Sequence, residues 1–541
     1  MSPRRKIPTK AELLQLQRLY KTDEKIGERL GGVQAYLVAY WRRKKNVPRH
    51  SVPKFSEKEI RSLWERFGDD DRCGLELGIS KAAFYNWRRR YGIREKPAFL
   101  KLEQLELDFP GMSTTPKSAS LWSKQTLTQK IMGGLARRDQ VEIGETVEVE
   151  PDLIVCDGDT HGVIQRFGEH PGELMFSTAR IVMGLGQIES VGGRSAAELT
   201  RTVRRFAERH RIRECLDHTL GCCHQIIMEN GLAQPGRFCV GVTAAMAALG
   251  AVNSLGWRVD SDSLAAVLST GRLAAQVPAT IRIDITGRRS RGVYAKDVAL
   301  SIVQRLSAED SSGRVIEFHG SSVSQMNISE RFTLCGMAPT TGAAGAVCMF
   351  DSAARRYLTG RTTAALAPVM ADRNAVYEQH YQVNIEQLPP QIAPFGRWEE
   401  IKAVAELETL SVNRIIIGSA VNGRFDDLRI AADILKGKKI NPDCSLLVFP
   451  ASRTTYLEAL KKGLIRILSE AGAVIMPPGC GSHDLPAWAV LTDGDRCLTT
   501  GDGACVGLVV PEKAEVYLCS PATGAASALK AEVTDPSRYI K

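Results

Sequence analysis

IIIGSAVNGRFDDLR, residues 415–429, is the stretch whose reading decides the fold. An apolar run opens it, Gly418, Asn422 and Gly423 punctuate its middle, and an amphipathic segment, DLRIAADILKG (427–437), follows directly. Strand, tight turn and helix in that order form the repeating unit of an α/β protein with mostly parallel strands. The alternation recurs along the chain. TVEVEPDLIVCDG (146–158), RIRECLDH (211–218), ATIRIDITG (279–287) and NRIIIGS (413–419) read as strands, and SAAELTRTVRRFAERH (195–210) as a helix.

The 541 residues, 44% hydrophobic and 24% charged, describe a globular protein too long for one core, so at least two compact units are expected, and four fit the length better. No run approaches the roughly 18 to 20 apolar residues of a membrane span. The basic start, MSPRRKIPTK, lacks a following apolar core. A cytoplasmic protein with no membrane partner is expected. Thirteen cysteines scattered without dense spacing argue for reduced thiols.

Charge is unevenly spread. Residues 1–110 hold 25 Lys and Arg against 15 Asp and Glu, so the whole net charge of +10 sits there. Two segments of this region repeat one pattern. TDEKIGERLGG (22–32) is a capped helix ending in glycines, and VQAYLVAYWRRKKNVP (33–48) a second helix ending in Arg42, Arg43, Lys44 and Lys45. DDDRCGLELGIS (69–80) and KAAFYNWRRRYGI (81–93) repeat it, with Trp87 and Arg88, Arg89 and Arg90 in the places of Trp41 and the first basic run. Helix, glycine-containing turn and basic helix form the helix-turn-helix signature, whose second helix enters the DNA major groove. Ile26 with Leu30, and Leu75 and Leu77 with Ile79, would supply the small cores. The boundaries read as modules 1–50 and 51–110, a Ser/Thr/Pro-rich linker 111–120, and a large region 121–541. Duplex DNA is the expected partner of residues 1–110, mostly through phosphates. The alternative is a pair of solvated charged faces on helices packed on the large region.

Several separated motifs, in order, resemble the aconitase and 3-isopropylmalate dehydratase large-subunit family: GCCHQIIMENGLAQPGRFCVG (221–241), GVYAKDVAL (292–300), ERFTLCGM (330–337), LLVFPASR (446–453), PPGCGSHDL (477–485) and YLCSPATGAASA (517–528). The resemblance implies three α/β/α domains around a [4Fe–4S] cluster, preceded here by the small all-α tandem helix-turn-helix region. It also implies a separate small subunit, because the family's swivelling fourth domain has no counterpart. The three cluster cysteines fall at Ala420, Cys480 and His483. Losses continue elsewhere: VTAAMAALGA after Gly241 replaces the family's Asp-Ser-His-Thr, its first-strand histidine is missing beside Asp157, a glutamate falls at Thr340, and an arginine loop becomes GDGAC (501–505).

Asp157, His224, Gln225, Arg424 and Arg453 remain as candidates for a pocket holding an acidic metabolite, with His224 equally readable as a hydrogen-bonded core histidine. Cys480 and His483 keep a spacing compatible with two metal ligands, so zinc or an iron–sulfur cluster completed by Cys222, Cys223, Cys335 or Cys156 is the alternative to no cofactor. Cys335 and Cys480 as buried leftovers is the plainer reading. The expectation is a DNA-binding protein with a catalytically degenerate dehydratase-like domain that senses a small carboxylate. The alternatives are a divergent hydro-lyase or isomerase large subunit with a small subunit, and a non-catalytic scaffold holding a small-subunit-like partner or a homodimer.

Overall fold

The computed structural model describes residues 7–20, 22–47, 55–67, 70–77, 79–93, 124–169, 177–185, 195–306, 308–407, 409–418, 420–481, 491–502 and 511–540. The chain divides into two compact units, Met1–Lys117 and Ser118–Lys541. The linker 111–120 and the segment 97–118 lie outside the described residues.

The first unit holds two three-helix clusters. α1 (Lys10–Tyr20), α2 (Asp23–Arg29) and α3 (Ala35–Lys44) enclose Leu13, Ile26, Val33, Val38 and Val47. α4 (Glu57–Phe67), α5 (Asp70–Glu76) and α6 (Lys81–Arg90) enclose Ile60, Trp64, Cys73, Phe84 and Ile93. The sequence pattern predicts two helices per module, and α1 and α4 add a third to each. Their start signals are present as reciprocal caps, Thr9 with Glu12 and Ser56 with Glu59, in which each carboxylate accepts from the cap residue's N–H. Glycine is required where the first helix of each pair, α2 or α5, packs against the turn that follows it. A Cβ on Gly27 would stand 1.9 Å from the Val33 carbonyl oxygen, and one on Gly74 2.8 Å from that of Ile79.

The second unit is α/β. A five-stranded parallel sheet runs in the order Glu214–Leu216, Ile181–Gly184, Leu153–Cys156, Phe238–Gly241, Leu255–Arg258. A four-stranded parallel sheet orders Gly345–Cys348, Val315–His319, Thr280–Thr286, Gln379–Asn384. A seven-stranded sheet carries the deciding stretch: Arg414–Ile417 lies parallel between Ser445–Val448 and Arg496–Thr499, and only the pairings of Gln391–Pro394 are antiparallel. LIVC, IVMG, FCVG and GAVC are buried at every position. That is why they read as continuous apolar runs and not as alternation, since helices cover both faces. The stretch 146–158, expected as one strand, breaks at Pro151: Thr146–Val149 turns away to pair antiparallel with Leu273–Gln276. Proline has no N–H to give a ladder. Among the described residues no helix is long and apolar enough to cross a membrane.

Candidate functional site

The loops leaving the carboxyl ends of parallel strands converge, which is where open α/β sheets place their sites. The segment 449–452, after Ser445–Val448, ties three others together. Ala451 N–H donates to the Gly423 carbonyl at 2.8 Å, Cys222 N–H to the Ala451 carbonyl at 2.9 Å, and Gly479 N–H to the Pro450 carbonyl at 3.1 Å. Gly221 pairs with Ser452 as an isolated bridge. Only glycine fits there: its φ is +115°, and a Cβ would lie 2.4 Å from the Ala451 oxygen.

Arg424 caps helix Phe425–Leu435, whose first turn Asp427 closes by accepting from Gly423 N–H at 2.8 Å, Arg424 N–H at 3.0 Å and Asn422 Nδ2 at 3.0 Å. Arg424 is buried, 6% exposed. Its Nε donates to Ser329 Oγ at 2.9 Å, its Nη2 to Thr333 Oγ1 and the Val421 carbonyl, and it lies 4.4 Å from the Phe332 ring centroid. Nη1 has no protein partner. Gln225 is equally buried, with Nε2 on Glu229 Oε1 at 2.8 Å and Oε1 unpartnered. Ser452 Oγ donates to the same Glu229 oxygen at 2.6 Å. Gln225, Glu229, Ser329, Arg356, Arg361 and Arg424 are among the residues lining one cavity of about 410 Å³. The sequence reading missed Glu229, Arg356 and Arg361, although two successive arginines, Arg355 and Arg356, in the last turn of helix Ser352–Leu358 were a signal.

His224 leans on Phe332 and holds the Ala420 carbonyl at 2.7 Å through Nε2. A carbonyl only accepts, so Nε2 carries the proton and Nδ1 is a bare, buried acceptor. Burial foremost holds the imidazole below its usual range, with Arg424 acting the same way against the Ala420 bond and Asp502. Asp157 is buried at the end of strand Leu153–Cys156. Burial, aided by Asp157, Cys480 and Cys156, pushes the Cys223 thiol far up, and burial takes Cys156 up to about 12. These thiols are poor nucleophiles as they stand. Arg453, by contrast, is exposed, and the pocket takes Thr454, Thr455 and Glu458 from its helix instead. Lys296, a buried lysine that the sequence does not single out, donates through Nζ to the Thr500 and Gly501 carbonyls. Residues 503–505 of the GDGAC loop and His483 lie outside the described residues.

The family's three-thiolate cluster site does not fit this chain. Ala420 offers no ligand, and its carbonyl is engaged by His224. Cys480 Sγ faces Cys222 Sγ at 2.8 Å. Two thiolates on one tetrahedral zinc stand about 3.8 Å apart, so that pair as placed does not embrace zinc either. Among the described residues no group of three His, Cys, Asp or Glu has metal-binding spacing.

In the first unit, Arg42, buried, and Arg88, largely buried, are ion-pair partners and not free surface cations. Arg42 grips Asp23 with Nε and Nη2 at 2.7 and 2.6 Å and donates through Nη1 to the Val47 carbonyl; Arg88 does the same to Asp70, at 2.7 and 2.9 Å, and to the Ile93 carbonyl. Arg43, Lys44, Arg89 and Arg90 are exposed, and Lys45 is half-buried. Trp41 and Trp87 are half-buried, the latter between Phe55 and Tyr91.

Comparison with known proteins agrees with the motifs. The family model described as the aconitase family (aconitate hydratase) matches residues 189–400 and 395–531. The chain is 35% identical over 418 residues to 3-isopropylmalate dehydratase large subunit 1 of Methanopyrus kandleri, covering 77% of this chain and 100% of that protein. It is 33% identical to the 3-isopropylmalate dehydratase large subunit of Wolinella succinogenes, covering 76% and 99%. It is 32% identical to the corresponding large subunit of Thermoanaerobacter sp. strain X514, covering 76% and 98%. Over its second unit, therefore, the chain belongs to the aconitase family.

Proposed function

We propose that the second unit is a divergent aconitase-family large subunit that binds a small hydroxy acid and works with a separate small subunit. One observation carries this reading: Arg424 and Gln225, two side chains that line the same cavity, each keep a buried polar atom without a protein partner, the Arg424 Nη1 and the Gln225 amide oxygen. A buried donor on a cation calls for a carboxylate, and a buried acceptor calls for a hydroxyl. The names of the three relatives given above, dehydratase large subunits, favour addition or removal of water as the reaction. A second reading is favoured by Ala420, which removes a cluster ligand: the acid is bound without turnover, and the domain acts as a sensor or scaffold.

Calorimetric titration with isopropylmalate, homocitrate and citrate tests the binding. Arg424→Lys keeps the charge but loses the fork, and should weaken the best acid on the order of tenfold to a hundredfold, the worth of a charge-assisted bond. Unchanged affinity in that variant removes the proposal. Turnover on adding a small subunit separates the two readings.

For residues 1–110 we propose contact with duplex DNA through the exposed ends of α3 and α6. The support is the concentration of net charge there and the pattern, present twice, of a short helix, a turn and a helix with a basic end. A fragment ending near residue 118 that binds duplex no better than the second unit at low salt would end this reading.

A further inference from the structure

We infer that Cys222 and Cys480 are a redox-active dithiol that closes to a disulfide at the corner where the cluster pattern is broken. The inference rests on their contact and is independent of acid binding. The two sulfurs stand 2.8 Å apart, at residues 1% and 4% exposed. A disulfide bond is about 2.05 Å long, so closure asks for less than 1 Å of movement.

The backbone fixes this approach. Cys222 hangs on the Ala451 carbonyl, and Gly479, next to Cys480, hangs on the Pro450 carbonyl, so consecutive residues of one segment hold both cysteines. The Cys222 thiol also reaches the Gly479 carbonyl at 3.1 Å. Cys335 and Cys348, also buried, are 3.6 Å apart. Cys222 is the N-cap residue of helix Cys223–Glu229, which carries His224 and Gln225. The bond would join positions 258 residues apart and staple that helix to the Cys480 segment.

The oxidant is a hydroperoxide, with hydrogen peroxide as the probe. One cysteine sulfur attacks a peroxide oxygen; the O–O bond breaks, the sulfur becomes a sulfenic acid, and the displaced hydroxide leaves as water with the thiol proton. The second sulfur attacks the sulfenic sulfur, the S–S bond forms, the S–O bond breaks, and a second water leaves with the second thiol's proton. Two thiols lose two electrons and one peroxide gains them.

The test uses the full-length protein purified under nitrogen. It is treated with hydrogen peroxide, denatured, alkylated with iodoacetamide and mapped by mass spectrometry. The expected result is a Cys222–Cys480 crosslinked peptide, lighter by two hydrogens than its parts, reversed by dithiothreitol. Cys222→Ser and Cys222→Ala should both leave Cys480 free to alkylate; the wild-type map needs no variant to fold. Cys215, half-buried, is the internal control for reagent access. Full alkylation of Cys222 and Cys480 at a dose that oxidises Cys215 overturns the inference. So does Cys223 as the partner of either, or iron held on Cys480 through gel filtration.

Discussion

Replacing Arg88 with alanine should unfold the second three-helix cluster and leave the first intact. The Arg88 and Asp70 side chains are 12% and 14% exposed, joined by two hydrogen bonds, and the guanidinium lies 3.9 Å from the Trp64 ring centroid. Removing one partner of a buried pair strands the other charge, at a cost of about 3–5 kcal/mol. A single core of this size supplies on the order of 3–5 kcal/mol in all. The two figures meet, so Arg88→Ala should abolish protection in 57–90 by hydrogen exchange and mass spectrometry while residues 10–44 keep theirs. Asp70→Ala should do the same, and the double variant should be less damaging than the sum of the two, because neither charge is then left alone. Native protection of α4 to α6 in Arg88→Ala would refute the reasoning and return Arg88 to the surface cations.

Arg89→Ala with Arg90→Ala should leave that protection unchanged and flatten the slope of log DNA affinity against log salt by about two units, which a salt titration of binding reads directly. Asp297, held up to about 7 chiefly by burial, is protonated more readily in the folded protein than in the unfolded chain, where its pKa is about 3.9. Its contribution to stability is therefore lost as pH rises from about 4 to about 7, and denaturant titrations across that window should show Asp297→Asn flatter than wild type. His224 has the opposite sense, since its folded pKa is lowered: stability is lost as pH falls through its unfolded value of about 6.5, and His224→Gln should remove that part of the acid sensitivity. Ala420→Cys with His483→Cys should raise iron and sulfide content after anaerobic reconstitution, while either change alone should not, because each leaves the pattern one thiolate short.

The α/β architecture was legible because it rests on local pattern: apolar runs for strands buried on both faces, and 3.6-residue periodicity for the helices between them. What the sequence hid is partnership across distance. A run such as Arg42 to Lys45 reads as a solvated face, and nothing local says that Arg42 is spoken for by Asp23, 19 positions earlier. Likewise Cys222 reads as one of many scattered thiols until the fold brings Cys480 against it.

The duplicated N-terminal region nevertheless held its own key, because two copies of one module can be compared within a single chain. Asp23, Gly27, Trp41 and Arg42 match Asp70, Gly74, Trp87 and Arg88, and all four places make contacts that hold the module: the ion pair, the glycine against the turn, and the tryptophan packed on the core. The places that differ tell the other half. Tyr36 and Tyr40, 65% and 52% exposed, stand where the second copy has Ala82 and Asn86, both exposed. A shared interior with unlike outer faces is what two modules need in order to fold alike and touch different surfaces. If both bind duplex, their phosphate contacts, from Arg43 with Lys44 and Arg89 with Arg90, should be interchangeable, whereas exchanging Tyr36 and Tyr40 for Ala82 and Asn86 should change which sequences are preferred. A binding selection on random duplex that returns the same sites before and after that exchange would show that the tyrosines face something other than bases.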